Sequence, residues 1–287
     1  MAAKLGRFDK LDTDLEQQEL TIDGFTFSYV RIGKGNKGII SFNGYEKTAI
    51  DFAENLLETE FPHHYTILCV DLFFHGKTIV PQKRVEKNQI TPSELHVYIQ
   101  KILTKENLVF PHLFGFSMGG KIALSLFSYH PEEYGNLYLL APEGLKPIWW
   151  YGALASFPPF RSVYKYYIHH PYWYFFWMDL IKKIGLLSKS AVEFANEKMA
   201  TPERRKFLYD VWMSIKKLKP SFPKLQTIPA LEDRIQIFVG SKDRVVRATK
   251  AYEFCKNLGL NPKKVVKEFD AGHSILKPQY LREIPIK

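Results

Sequence analysis

Cysteine is scarce: Cys69 and Cys255 are the only two in 287 residues. Two thiols this far apart make no disulfide framework, and Cys69 lies inside the apolar run YTILCVDL, where a buried free thiol is expected. Long apolar runs are also missing. No stretch reaches the roughly 18 uninterrupted apolar residues of a spanning helix. The start, MAAKLGRFDKLDTDLEQQEL, is charged throughout and has no apolar segment of the kind a secretory leader carries. A reducing, cytoplasmic setting is therefore the expectation. Internal repeats and low-complexity tracts are not evident. The formal net charge is +10, yet no Lys/Arg-rich block of the nucleic-acid-arm type occurs. Such a balance favours anionic partners in general, and simple solubility accounts for it equally well.

What is present is a hydrophobic fraction of 46%, enough for a sizeable core. ELTI, then Asp23-Gly24, then FTFSYVRI reads as a hairpin, because Asp-Gly favours its turn. Further strands are expected at GIISFNG, YTILCVDL, LVFPHLFGF, NLYLLAP, RIQIFVG and KKVVKEFD. Helices are expected at TAIDFAENLLETEF, TPSELHVYIQKIL, KIALSLFSYH and VRATKAYEFCKNLG, with a short one closing the chain. In TPSELHVYIQKIL, Thr91 and Glu94 form a capping-box pattern. Strands alternating with helices, one of them apolar on both faces, indicate an α/β fold with a mainly parallel sheet. The segment from about Glu143 to Ile228 interrupts this pattern. It holds all five tryptophans, the aromatic run YKYYIHHPYWYFFWM, and a helix at TPERRKFLYDVWMSIKKLKP. In that helix Thr201 caps, and Phe207, Leu208, Val211, Trp212, Ile215 and Leu218 are the expected apolar face, with Pro220 ending it.

Two stretches imitate nucleotide-binding loops. Gly115 to Lys121 matches Gly-x-x-x-x-Gly-Lys, but Ile122 stands where a phosphate loop needs a hydroxyl for magnesium. Gly33 to Gly38 matches Gly-x-Gly-x-x-Gly, but a strand follows where the helix receiving the pyrophosphate should begin. The first stretch also reads as Gly-Phe-Ser-Met-Gly, with Ser117 as a nucleophile. A serine hydroxyl is weak at neutral pH and needs a histidine to take its proton and a carboxylate to orient that histidine. Asp243 follows the strand RIQIFVG, and His273 follows KKVVKEFD. Serine, acid and histidine thus occur at three strand ends, in the order such a sheet requires. Gly115 and Gly119, with Gly120 in support, are expected to let strand and helix pack closely around Ser117. Glu143 is the rival acid, at the end of NLYLLAP. Asp270 is near His273 but belongs to its strand or turn. The pairs His63-His64 and His169-His170 have no accompanying Cys/His/Asp cluster, so neither a metal nor a cofactor is expected.

These residues resemble the α/β-hydrolase superfamily over nearly the whole chain. GFSMGG is similar to its nucleophile elbow. Phe42 to Tyr45, FNGY, stands where the family carries His-Gly-aromatic, with Asn43 in place of the histidine. The resemblance implies that backbone N–H groups of Tyr45 and Met118 form the oxyanion hole. DLFFHGKT, Asp71 to Thr78, resembles the family's Asp-x-x-Gly-His-Gly-x-Ser loop, with Phe74 for a glycine and Thr78 for the serine. The implied fold is an α/β-hydrolase core over 1–143 and 229–287, with a helical, aromatic-rich cap over 144–228. The implied activity is that of a carboxylesterase or small lipase on a small ester-like substrate. C–C bond, thioester, amide or lactone cleavage by the same triad stays open, as does a non-catalytic binding or membrane-associated protein on the same scaffold. Trp149, Trp150, Trp177 and Trp212 are candidates for an apolar substrate pocket. The same aromatics beside Lys182, Lys183, Lys216, Lys217 and Lys219 would also suit a weak membrane-surface contact. The oligomeric state is not legible.

Overall fold

A computed structural model describes residues 15–146, 157–184 and 189–286. It divides into two compact units. One comprises Met1–Ile79, Thr91–Lys146 and Leu218–Lys287; the other comprises Val80–Ile90 and Pro147–Lys217.

The larger unit is built on an eight-stranded sheet. The hairpin joins β1 (Gln17–Ile22) to β2 (Phe25–Ile32), with Ile22 opposite Phe25. Asp23 and Gly24 both take positive φ, 51° and 80°, as a two-residue turn matched to strand twist requires. After β3 (Lys37–Phe42), helix α1 (Ala49–Leu57) leads to β4 (Tyr65–Val70). Helix α2 (Pro92–Lys105) buries Leu95, Tyr98, Ile99, Ile102 and Leu103, a stripe at helical spacing. Thr91 caps it by accepting from the Glu94 N–H, while the Glu94 carboxylate accepts from the Tyr98 hydroxyl at 3.0 Å. Then come β5 (His112–Phe116), α3 (Met118–Tyr129) and β6 (Leu137–Leu140).

The strand order is β1-β2-β4-β3-β5-β6, continued by two later strands described below, and all pairings from β4 through β3 onward are parallel. All six residues of β4 and all four of β6 are buried, as strands covered by helices on both faces must be. Strand β5 is shorter than the run LVFPHLFGF suggests. Val109 and Phe110 are exposed, and Phe110 takes φ 48°. Pro111 has no N–H to donate and so marks where the ladder starts.

In the smaller unit four helices follow one another: α4 (Pro158–His169), α5 (Tyr172–Lys183), α6 (Lys189–Lys198) and α7 (Pro202–Ser214). Thr201 caps α7 as expected, accepting from the Arg204 N–H. Of the expected face, Val211, Ile215 and Leu218 are buried and Phe207 and Leu208 half-buried, while Trp212 departs from it. Arg205, Tyr209, Val211 and Met213 are buried, whereas Trp212 is 43% exposed, and the helix ends at Ser214. One of these buried side chains is charged. Arg205 donates to the carbonyls of Ile168 (2.8 Å) and Met199 (2.5 Å), closing the ends of α4 and α6 onto α7. The segment Val80–Ile90 joins this unit through Glu86, which pairs with Lys165 at 2.5 Å and accepts from the Tyr209 hydroxyl at 3.1 Å.

The chain returns to the sheet with β7 (Ile235–Gly240), α8 (Ala248–Leu258), β8 (Val266–Phe269) and α9 (Pro278–Leu281). Strand β8 begins later than the run KKVVKEFD suggests, because Asn261 caps a helical turn at Pro262–Val265. Among the described residues, no helix is long and apolar enough to cross a membrane.

Candidate active site

Ser117 sits between β5 and α3 with φ 52° and ψ −115°. A non-glycine residue holds such a backbone only when its surroundings over-determine it. Here they do. The Ser117 N–H donates to Leu140 O at 2.9 Å, and the Ser117 carbonyl accepts from the N–H groups of Gly120 (3.0 Å) and Glu143 (2.9 Å). Strand β6 and the turn after it therefore pin both peptide groups of the serine. The close packing expected of the glycines is present: a Cβ on Gly119 would lie 2.1 Å from Phe42 O, and one on Gly115 would lie 2.6 Å from Gly120 Cα.

Two loops at the far end of the sheet bring the partners. Ser241 N–H donates to Phe269 O at 2.8 Å, and Lys242 N–H donates to Ala271 O at 2.9 Å. These bonds tie the turn after β7 to the turn after β8, and so place Asp243 beside His273. The His273 Nδ1 lies 2.8 Å from Asp243 Oδ2, and its Nε2 lies 3.0 Å from Ser117 Oγ. Donation from Nδ1 to the carboxylate leaves Nε2 free to accept the serine proton.

The Asp243 side chain is inaccessible to solvent, and its other oxygen accepts from the N–H groups of Val245 (2.7 Å) and Val246 (2.9 Å). Burial pushes its carboxyl up. The hydrogen bonds from His273, Val246 and Val245 outweigh that and hold it below the usual carboxylate range. The rival acids are placed elsewhere. Asp270 is exposed and pairs with Lys242 at 2.6 Å. Glu143 is exposed, and its contact with the serine is through its own main-chain N–H.

The loop after β3 lies against the serine. A Cβ on Gly44 would come within 2.9 Å of the Phe116 ring and 3.3 Å of Ser117 Cβ. Tyr45 follows in that loop, and Met118 is the first residue of α3. Two side chains hold the loop, and the sequence reading assigns neither this task. Asn43 is buried; its Oδ1 accepts from the Leu72 N–H at 3.1 Å, and its amide donates to Lys47 O. His75 is also buried; its Nδ1 contacts Phe73 O at 2.9 Å, and its Nε2 accepts from the Glu46 N–H at 3.0 Å. That second bond requires a neutral ring, and burial lowers the histidine's pKa accordingly. The signal for both was present in FNGY and DLFFHGKT, but their pairing across 29 residues of sequence was not. In the same loop Asp71 accepts from Ser28 Oγ (2.6 Å), Gln17 Nε2 (2.5 Å) and the Ala49 N–H (2.6 Å). Thr78 donates to Asp71 O and accepts from the Ser28 N–H.

The two imitations of nucleotide loops are now placed. Gly38 lies within β3, so the Gly33–Gly38 match leads into a strand. Gly115 belongs to β5, and Lys121, in the first turns of α3, is half-buried, not fully exposed; burial lowers its ammonium's pKa. Of the pocket candidates, Trp149 and Trp150 lie outside the described residues. Trp177 and Trp212 are 52% and 43% exposed.

Solved structures with the same fold include a membrane phospholipase A described as a bacterial virulence factor (18% identity, TM-score 0.60, 94% of this chain and 84% of that one). A hydrolase from Pseudomonas aeruginosa PA01 is 17% identical, with a TM-score of 0.59 over 94% of this chain and 97% of that one. The thioesterase domain of the curacin biosynthetic pathway is 14% identical, with a TM-score of 0.59 over 94% and 99%. Comparison with curated proteins by sequence found no match. The model of the alpha/beta hydrolase fold family matches residues 35–278. With the elbow at Ser117, the parallel sheet and this match across most of its length, the chain belongs to the alpha/beta hydrolase fold family.

Proposed function

We propose that the protein is a serine hydrolase, a carboxylesterase or small lipase that cleaves an apolar acyl or aromatic ester through an acyl-enzyme. The observation that carries this reading is the continuous hydrogen-bonded line from Ser117 Oγ through His273 to the buried Asp243 carboxylate. In the reaction, Ser117 Oγ attacks the ester carbonyl while His273 Nε2 takes its proton. Asp243 holds the ring and stabilises the imidazolium. The carbonyl oxygen becomes an anion, for which the N–H groups of Tyr45 and Met118 are the assigned donors. Met118 opens α3, so its N–H has no acceptor inside the helix. His273 returns the proton to the leaving alcohol as the C–O bond breaks. Water, deprotonated by the same histidine, then releases the acid and restores Ser117.

The apolar substrate class rests on composition. The smaller unit holds 18 of the 43 aromatic residues in 82 of 287 positions. A pocket role for Trp149, Trp150, Trp177 and Trp212 belongs to the same proposal. So does the service of this unit as a cap. Two of the fold relatives are named for acyl hydrolysis, a phospholipase and a thioesterase, which is in keeping with an acyl-enzyme route.

Ser117→Ala should lower kcat on short-chain p-nitrophenyl esters by about 10⁶-fold, with circular dichroism unchanged. A fluorophosphonate probe should label the wild type and not the variant. Undiminished turnover by Ser117→Ala would overturn the assignment. A wild type that neither turns over a panel of esters, thioesters, amides and lactones nor takes up the probe would make the chain a binding protein on this scaffold.

A further inference from the structure

Helix α5 contains no buried residue. Tyr172, Trp173, Phe176, Trp177 and Leu180, with Ile184 just beyond its end, are all between 38% and 71% exposed. Their spacing places them on one face, about 18 Å long. Tyr174, Phe175, Met178 and Ile181 on the other side are half-buried. The exposed rings brace one another. Tyr172–Trp173, Trp173–Phe176 and Phe176–Trp177 meet edge-on with centroids 5.7, 5.8 and 5.5 Å apart. A contiguous apolar stripe of this kind is uncommon on a protein that meets only water.

Charge indicates the occupant. The smaller unit has 14 basic and six acidic residues, net +8, out of +10 for the whole chain. Lys182 and Lys183 are exposed at the C-terminal end of the stripe, and Asp179 is the one acid on α5. A second copy of the chain would set +8 against +8 across this face. Leu180 and Ile184 offer nothing to a phosphate backbone. An anionic bilayer satisfies both features. Its headgroups attract the lysines, its acyl boundary accepts the aliphatic side chains, and indole and phenol rings suit the interface between.

We propose that the exposed face of α5 is a docking surface for an anionic lipid bilayer. The test is co-sedimentation of the full chain with vesicles of phosphatidylcholine alone and of phosphatidylcholine with phosphatidylglycerol, at low and high salt. The wild type should bind the mixed vesicles at low salt and be released by salt. Lys182→Gln/Lys183→Gln should bind about thirtyfold more weakly, and Tyr172→Ser/Trp173→Ser/Phe176→Ser should not bind. Both variants should hydrolyse a soluble ester as the wild type does. Because all three changed rings are exposed, an unchanged thermal midpoint serves as the check on folding. Absence of binding by the wild type would overturn the proposal. So would undiminished binding by the triple variant, or a wild-type dimer that the triple variant dissolves and that leaves vesicles untouched. The binding measurement is independent of turnover, so failure of the esterase reading would leave it standing.

Discussion

Ser117 shows how a single residue's backbone is fixed by its surroundings. Its backbone occupies a region that costs roughly 1–3 kcal/mol, and three main-chain hydrogen bonds from β6 and the elbow hold it there. Asp243 is the complementary case: a carboxylate kept ionised although buried, because three donors converge on it. Asp243→Asn should therefore leave the fold intact and lower kcat about 10⁴-fold, since an amide cannot hold His273 in the required tautomer. A steady-state assay on the purified variant measures this, and a loss of less than tenfold would remove Asp243 from the site. Ala230 gives a contrasting prediction. It is exposed and left-handed, φ 49° and ψ 37°, with no side-chain reason to be so. Ala230→Gly should raise stability by about 0.5–1 kcal/mol, read as a shift in the urea midpoint.

At the scale of elements, the caps at Thr91 and Thr201 were legible in the sequence, and the cap of α1 emerged only in the structure. Thr48 and Asp51 form a full capping box at α1, and the same turn continues the loop that carries Tyr45. Thr48→Ala should lower unfolding free energy by about 1 kcal/mol. It should also lower kcat more than it changes circular dichroism, because the loop is held from this end; equal kcat would separate the cap from the site. Helix α7 shows the limit of periodicity. Its cap and first turn follow from Thr201-Pro202, but it also turns Arg205 inward, to acceptors on α4 and just past the end of α6. A sum of apolar positions along one helix has no access to that contact.

For the molecule as a whole, pH should act first through histidine. Burial is the main cause that sets His75, His96, His112 and His130 below the ordinary value; His96 and His130 also stack at 4.0 Å and repel when charged. Unfolded, each would titrate near 6.5. The unfolded chain then binds more protons, so this stability is full above about 6.5 and is lost as pH falls through the lower folded values. Asp243 has the same sign in a lower window: its contribution is present above about 4 and is lost beneath it. Urea midpoints should thus fall from pH 7.5 to 5.5 and fall further towards pH 3. A flat profile between 7.5 and 5.5 would contradict the four histidines.

The sequence by itself determined where most of the strands lie, the Asp23-Gly24 turn and the caps at Thr91 and Thr201, because each depends on residues within a few positions of one another; the order of serine, acid and histidine is read directly along the chain. It also carried the aromatic and basic bias of the inserted segment, which is a matter of composition. Only the tertiary structure decided which carboxylate meets His273, which side chains hold the loop at Tyr45, and which aromatics face outward. Those outcomes join residues 30, 156 and 29 positions apart, at Asp243–His273, Ser117–His273 and Glu46–His75. Contacts at that range are set by strand order and by the burial of polar groups in need of partners, and neither leaves a local period in the chain.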